Sequence, residues 1–137
     1  MTIEKIEWNG KIFALILHGN FEKDGVNFFT YKENPLQLGM LKHKSGIKIK
    51  PHIHKTSLKK IDSMQEVLHI EHGKVEANFY DNNGEKIGSS ILNSGDTILL
   101  INGGHGFKIL EDSKIIEIKQ GPYSGVTEDK EYLEVEE

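Results

Sequence analysis

Residues 74–84 read KVEANFYDNNG. Val75, Ala77 and Phe79 alternate with Lys74, Glu76 and Asn78, which is the two-residue period of a strand with one buried face. Asp81-Asn82-Asn83-Gly84 follows, and Asn and Gly tolerate the positive φ of a hairpin turn, so the strand reads as half of a hairpin. The same punctuation recurs outward in both directions, at Asn9-Gly10, Lys23-Asp24-Gly25, Asn34-Pro35, Ser45-Gly46, His72-Gly73, Asn93-Ser94-Gly95 and Gly103-Gly104. Between these marks lie segments of about 6 to 10 residues, too short for most helices and rich in β-branched and aromatic residues. The runs IFALIL (12–17) and TILLI (97–101) are continuously apolar, as strands covered on both faces are. Many short strands without a 3.6-residue pattern predict an all-β sandwich or barrel.

Composition bounds the rest. The 137 residues suit one domain, here 1–137, rather than two cores. A net charge of −4 lacks the basic face of a nucleic-acid binder, and the lysines of 42–60 read as a solvated surface. The absence of cysteine excludes disulfides, thiolate catalysis and Cys-type zinc sites. The start MTIEKIEWNGK has no apolar signal core, and no apolar run nears the ~20 residues that span a bilayer. The expectation is a cytoplasmic protein with no membrane or nucleic-acid partner.

In residues 46–73, five residues separate Gly46 from His52-Ile53-His54, and six separate Glu66 from Gly73. This resembles the first motif of the cupin family, G-x5-H-x-H-x(3,4)-E-x6-G. The sequence departs in the middle, where eleven residues (55–65) separate His54 from Glu66. An insertion in a strand connection costs little, because closure entropy grows slowly with loop length. Gly95, Ile101, Gly103 and His105 follow the second motif, G-x5-P-x-G-x2-H-x3-N, with Ile in place of Pro, His105 one residue early and no terminal Asn. The likeness spans residues 38–120. It implies a cupin or jelly-roll β-barrel with a short C-terminal extension, one metal ion inside, and often a homodimer.

The residues carry a physical reading beside the likeness. On a strand, His52 and His54 would present two imidazoles on one face. Glu66 would share its face with Leu68, Ile70 and His72, and His105 follows a buried strand. Three imidazoles and a carboxylate suit one divalent ion: Fe, Mn, Ni, Co or Zn. As lone features, His52, His54 and Glu66 read more readily as surface residues, and His105 equally as a loop residue that satisfies a turn. His69 falls on the opposite face from Glu66 and reads as a surface histidine, and His18 and His43 have no supporting context. Softer pocket candidates are His72, Gln120, Tyr123, Met40 and Phe107; Met40 and Phe107 read more as core. Gln120 reaches the barrel mouth if Ile116 and Ile118 face the core. The polar 55–64 stretch reads as loop or one helical turn, and 127–137 as a short helix or frayed end.

Cupins host many chemistries, so the likeness leaves function open. The leading expectation is a metalloenzyme, an isomerase or dioxygenase, acting on a small polar metabolite. The alternatives are a metal-free isomerase or epimerase of nucleotide sugars in polysaccharide biosynthesis, and a non-catalytic binder of a small ligand.

Overall fold

A computed structural model describes residues 3–123 and 125–135. The strands are β1 (Glu4–Trp8), β2 (Lys11–Leu17), β3 (Gly25–Phe28), β4 (Gly39–Lys42), β5 (Glu66–Tyr80), β6 (Lys86–Asn93), β7 (Thr97–Leu100) and β8 (Gly104–Lys119), followed by one helical turn, α1 (Val126–Asp129). The fold is all-β, a strongly curled half-barrel. Six strands form the main sheet in the order β1-β2-β7-β5-β6 with β8 on β5, and β3-β4 make a separate hairpin.

The curl originates in β5. Its first half, Glu66 to His69, pairs with β7, and its second half, Lys74 to Tyr80, pairs with β6. β8 runs along the other edge throughout, with register shifts between Ile70 and Val75. Gly73 sits at the corner with φ +112, and a Cβ there would meet the backbone of Asp112 and Ser113. Only glycine takes this conformation without strain, so His72-Gly73 bends a strand where the sequence pattern reads a turn.

Alternation along both halves of β5 fills the curl. Leu68, Ile70, Val75, Ala77 and Phe79 pack with Ala14, Ile16, Leu92, Ile98 and Leu100 in one buried cluster. The expected hairpin forms at 81–84: Asp81 Oδ1 accepts from the Asn83 and Glu85 amides at 2.9 and 3.0 Å. The runs 12–17 and 97–101 are buried on both faces, as their composition predicts. Their outward residues Leu15 and Leu99 pack with Leu38, Phe29 and Leu36, so the cover over this face is the chain's own segment around β3 and β4, braced by the edge-on contact of Phe21 and Phe29 at 5.3 Å. The insertion at 55–65 carries no helix or strand. Of the tail, α1 occupies Val126–Asp129 and residues 130–135 run without regular structure; residues 136 and 137 lie outside the described residues.

Candidate functional site at the barrel rim

Strand register sets one end of the barrel. Ala14, Leu100, Glu66 and Lys119 form a single row across β2, β7, β5 and β8. Ile16, Ile98, Leu68 and Glu117 form the row below. Directly opposed residues of antiparallel strands share a face, and Ala14, Leu100, Ile16, Ile98 and Leu68 all lie in the inner cluster. Glu66, Lys119 and Glu117 therefore point to the inner side of the rim. On the far half of the curl, His105 stands opposite Phe79 and Phe107 opposite Ala77, again inner residues.

The curl brings these two walls together. His105 Nε2 donates to Glu66 Oε1 at 2.7 Å, with the two side chains 32% and 18% exposed. The imidazole leans on Phe107, with ring centroids 5.7 Å apart, and Phe107 packs on the core as the sequence reading expects. The bond from His105 holds Glu66 down at about 2 against burial, with help from Glu117 and the Lys119 charge. Glu117 is pushed up, chiefly by its hydrogen bond to Glu66, then by burial and the Glu66 charge. Neighbouring carboxyls shift in opposite directions because ionising one disfavours ionising the other. Lys119 Nζ lies 2.9 Å from Asp129 Oδ2 and 5.3 Å from the centre of the Tyr123 ring, so the rim is closed on one side by the chain around α1.

The other two expected ligands stand apart. His52 and His54 lie in the irregular stretch before β5 and are exposed. A strand was the reason to expect their rings side by side; there is none, yet the rings meet edge-on at 5.2 Å. His52 Nδ1 donates to the Lys50 carbonyl at 2.7 Å, which leaves the Nε2 lone pair free, the arrangement that orients ligating histidines. Among the described residues no three His, Cys, Asp or Glu side chains come together as a metal cage. The structure joins Glu66 to His105 and His52 to His54, and keeps the two pairs separate.

The remaining candidates divide. Ile116 and Ile118 are 45% and 58% exposed, the reverse of the facing that would send Gln120 to the mouth; Ile115 is the one that packs on the core. Gln120 nonetheless reaches the rim at the end of β8, where its Oε1 accepts from the Gln65 amide at 3.0 Å and its buried Nε2 has no partner. Tyr123 is exposed and bears on the site only through Lys119. His72 is exposed at the β5 corner, about 20 Å along the strand from Glu66 at 3.3 Å per residue. Met40 is half-buried on β4, on the separate hairpin rather than the barrel lining. His69 is half-buried rather than on the surface, with Nδ1 2.9 Å from Thr97 Oγ1.

Sequence reasoning missed Glu117 and offered Lys119 only as an ionisable neighbour of the metal without placing it, because KIIEIKQ alternates equally well with either face inward. It also missed a second ionic cluster. His18 Nε2 meets Glu4 Oε1 at 2.7 Å and its Nδ1 meets Asp96 Oδ2 at 3.2 Å. Asp96 is 4% exposed and accepts from the Gly19 and Asn93 amides, each at 2.8 Å. Burial works against the His18 charge, but the hydrogen bonds and charges of Glu4 and Asp96 outweigh it and raise its pKa. The cluster ties β1, the end of β2 and the β6–β7 turn, and stands outside the rim site. An Asp directly after Ser-Gly in a turn was the only sequence signal for it.

Among the described residues no helix is long and apolar enough to cross a membrane. No family model matches the chain, and neither curated proteins nor solved structures give a match.

Proposed function

We propose that the chain is a cupin-type barrel that takes a divalent metal ion and a small polar metabolite at the rim formed by Glu66 and His105. The observation that carries this reading is the 2.7 Å contact between them. A carboxylate and an imidazole from opposite walls meet beside a core otherwise apolar, and once the proton between them is displaced they are the donor types of an N/O site for Fe, Mn, Ni, Co or Zn. His52, with its Nδ1 held by Lys50, and His54 are the remaining donors of the set. The described conformation does not gather all four, so no catalytic step is derived through the ion. When bound, it would supply a Lewis acid to the metabolite. The chain's own residues set the charge at the rim: the His105 bond holds the Glu66 pKa down, the Glu117 pKa is raised beside it, and Lys119 is fixed by Asp129. Elemental analysis of wild type and His105→Ala after exposure to the five ions tests this. About one ion per chain in the wild type, lost in the variant, is the expected result. No bound ion in the wild type overturns it.

A second reading rests on Glu117 and Lys119. A carboxyl pair with pKa values pushed apart, next to an imidazole and an ammonium, is an acid–base set in its own right. In a metal-free enzyme, Glu117 in its acid form, which its raised pKa favours, would donate and His105, oriented by Glu66, would accept, as an isomerase or epimerase of a sugar derivative requires. A non-catalytic binder would use the same rim for recognition only. Metal-free protein that turns over a sugar substrate, and loses this in Glu117→Gln, would favour the acid–base reading over both others.

A further inference from the structure

A cavity of about 210 Å³ opens at the same end of the barrel, lined by Trp8, Lys11, Phe13, Asp81, Asn82 and Asn102 among others. Phe13 directly precedes Ala14, which is in the row of Glu66, so this cavity and the rim site share one edge of the sheet. We propose that it is a binding subsite for a single neutral pyranose ring, with Trp8 as the stacking surface.

Three features support this. Trp8 ends β1 opposite Lys11 and is 45% exposed, so an indole that could have been buried is presented at a polar cavity. An indole face packs against the apolar C–H side of a sugar while its surroundings take the hydroxyls. The polar lining matches hydroxyls, which donate and accept at once: Asn82 and Asn102 carry amides with both roles, and Asp81 and Lys11 add an acceptor and a donor. Two of these groups, Asn102 and Asp81, are held in place beforehand. Asn102 Nδ2 donates to the Ile12 carbonyl at 2.9 Å, and Asp81 Oδ1 takes two turn amides at 2.9 and 3.0 Å. Gly103, at φ +71, has no room for a Cβ, which would meet the Phe13 ring and the Tyr80 carbonyl, so the floor is tightly packed. Pre-positioned groups lower the ordering cost of binding.

Size and charge narrow the ligand. The volume is below the ~300–1,000 Å³ of pockets for drug-sized molecules, and fits one ring. One lysine is balanced by one aspartate, so the phosphates of a nucleotide find no cationic cluster. The inference goes beyond the rim reading and does not depend on a metal.

Trp8 is the one tryptophan of the sequence, so its fluorescence reports this cavity alone. Intact protein is titrated with the methyl α-pyranosides of glucose, mannose and galactose, and with adenosine as the competing ring. A saturable emission change with at least one pyranoside is expected. Asn82→Ala, in an exposed turn, should then weaken that response about tenfold while its far-UV spectrum stays that of the wild type. Glu66→Gln should leave it unchanged, which separates this subsite from the rim site. No response to any pyranoside, a response to adenosine alone, or unchanged affinity in Asn82→Ala overturns the proposal.

Discussion

Replacing Asp96 by alanine should cost about 3 kcal/mol of stability, although the residue is far from any proposed chemistry. Asp96 is 4% exposed. It accepts from the Gly19 and Asn93 amides at 2.8 Å each and from His18 Nδ1 at 3.2 Å. Hydrogen bonds to a charged acceptor are worth about 1.5–3 kcal/mol each, and a buried donor left unpaired costs about 1–3 kcal/mol. Water can reach the half-exposed His18 and recover part of that bond, so the two amides dominate the sum. Asp96→Asn retains one acceptor oxygen but turns an NH2 group toward one of the two amides, and should cost about half as much. Urea denaturation at neutral pH measures both; the midpoint should fall while the slope stays constant, as for a change in stability alone. If Asp96→Ala remains within ~0.5 kcal/mol of the wild type, the ordinary scatter of surface changes, then the carboxylate does not hold β2 to the β6–β7 turn and the reasoning fails.

The same cluster predicts a pH dependence. His18 has a raised pKa when folded, so its stabilisation is complete below the unfolded value of 6.5 and fades as pH rises through the folded one. Stability of His18→Ala measured across that window should fall less with rising pH than that of the wild type; parallel curves would refute the assignment. Glu66 has the opposite sign. Its folded pKa near 2 lies below the ordinary 4.5, so its contribution is present above 4.5 and is lost as pH falls toward 2. Glu66→Gln should therefore flatten the acid limb of the unfolding curve, and an unchanged limb would argue against the His105 bond. Gly73→Ala should lose about 2 kcal/mol or more in chemical denaturation, since the left-handed corner and the Asp112–Ser113 backbone both oppose a Cβ; a neutral result would place the β5 bend elsewhere. Leu99→Ala should cost about 2–5 kcal/mol from the cavity left beneath the β3–β4 cover, read as a lowered thermal midpoint.

Local chemistry made much of the fold legible. Val75, Ala77 and Phe79 declare a strand by period, and Asp81 to Gly84 declare its turn, because both depend on neighbours in the chain. The doubly apolar runs 12–17 and 97–101 declare central strands, although the partner that covers Leu15 and Leu99 could not be named without the packing of Phe29 and Leu38. The pair His72-Gly73 carries a turn signal that the fold uses as a bend within one strand, since the β8 partner continues past it.

The sequence by itself determined the all-β class, the two-residue alternation of β5 and the hairpin at 81–84, because φ/ψ preference and side-chain period act over a few residues. It also marked Glu66 and His105 as functional types. Only the tertiary structure decided that these two touch, through the curl at Gly73, and that Glu117 and Lys119 rather than Ile116 and Ile118 face them. A strand of alternating character has two equivalent faces, and the choice between them is made by register against β5. The same holds for His18, whose partners Glu4 and Asp96 lie 14 and 78 positions away and meet only when β1, β2 and the β6–β7 turn are brought to one edge.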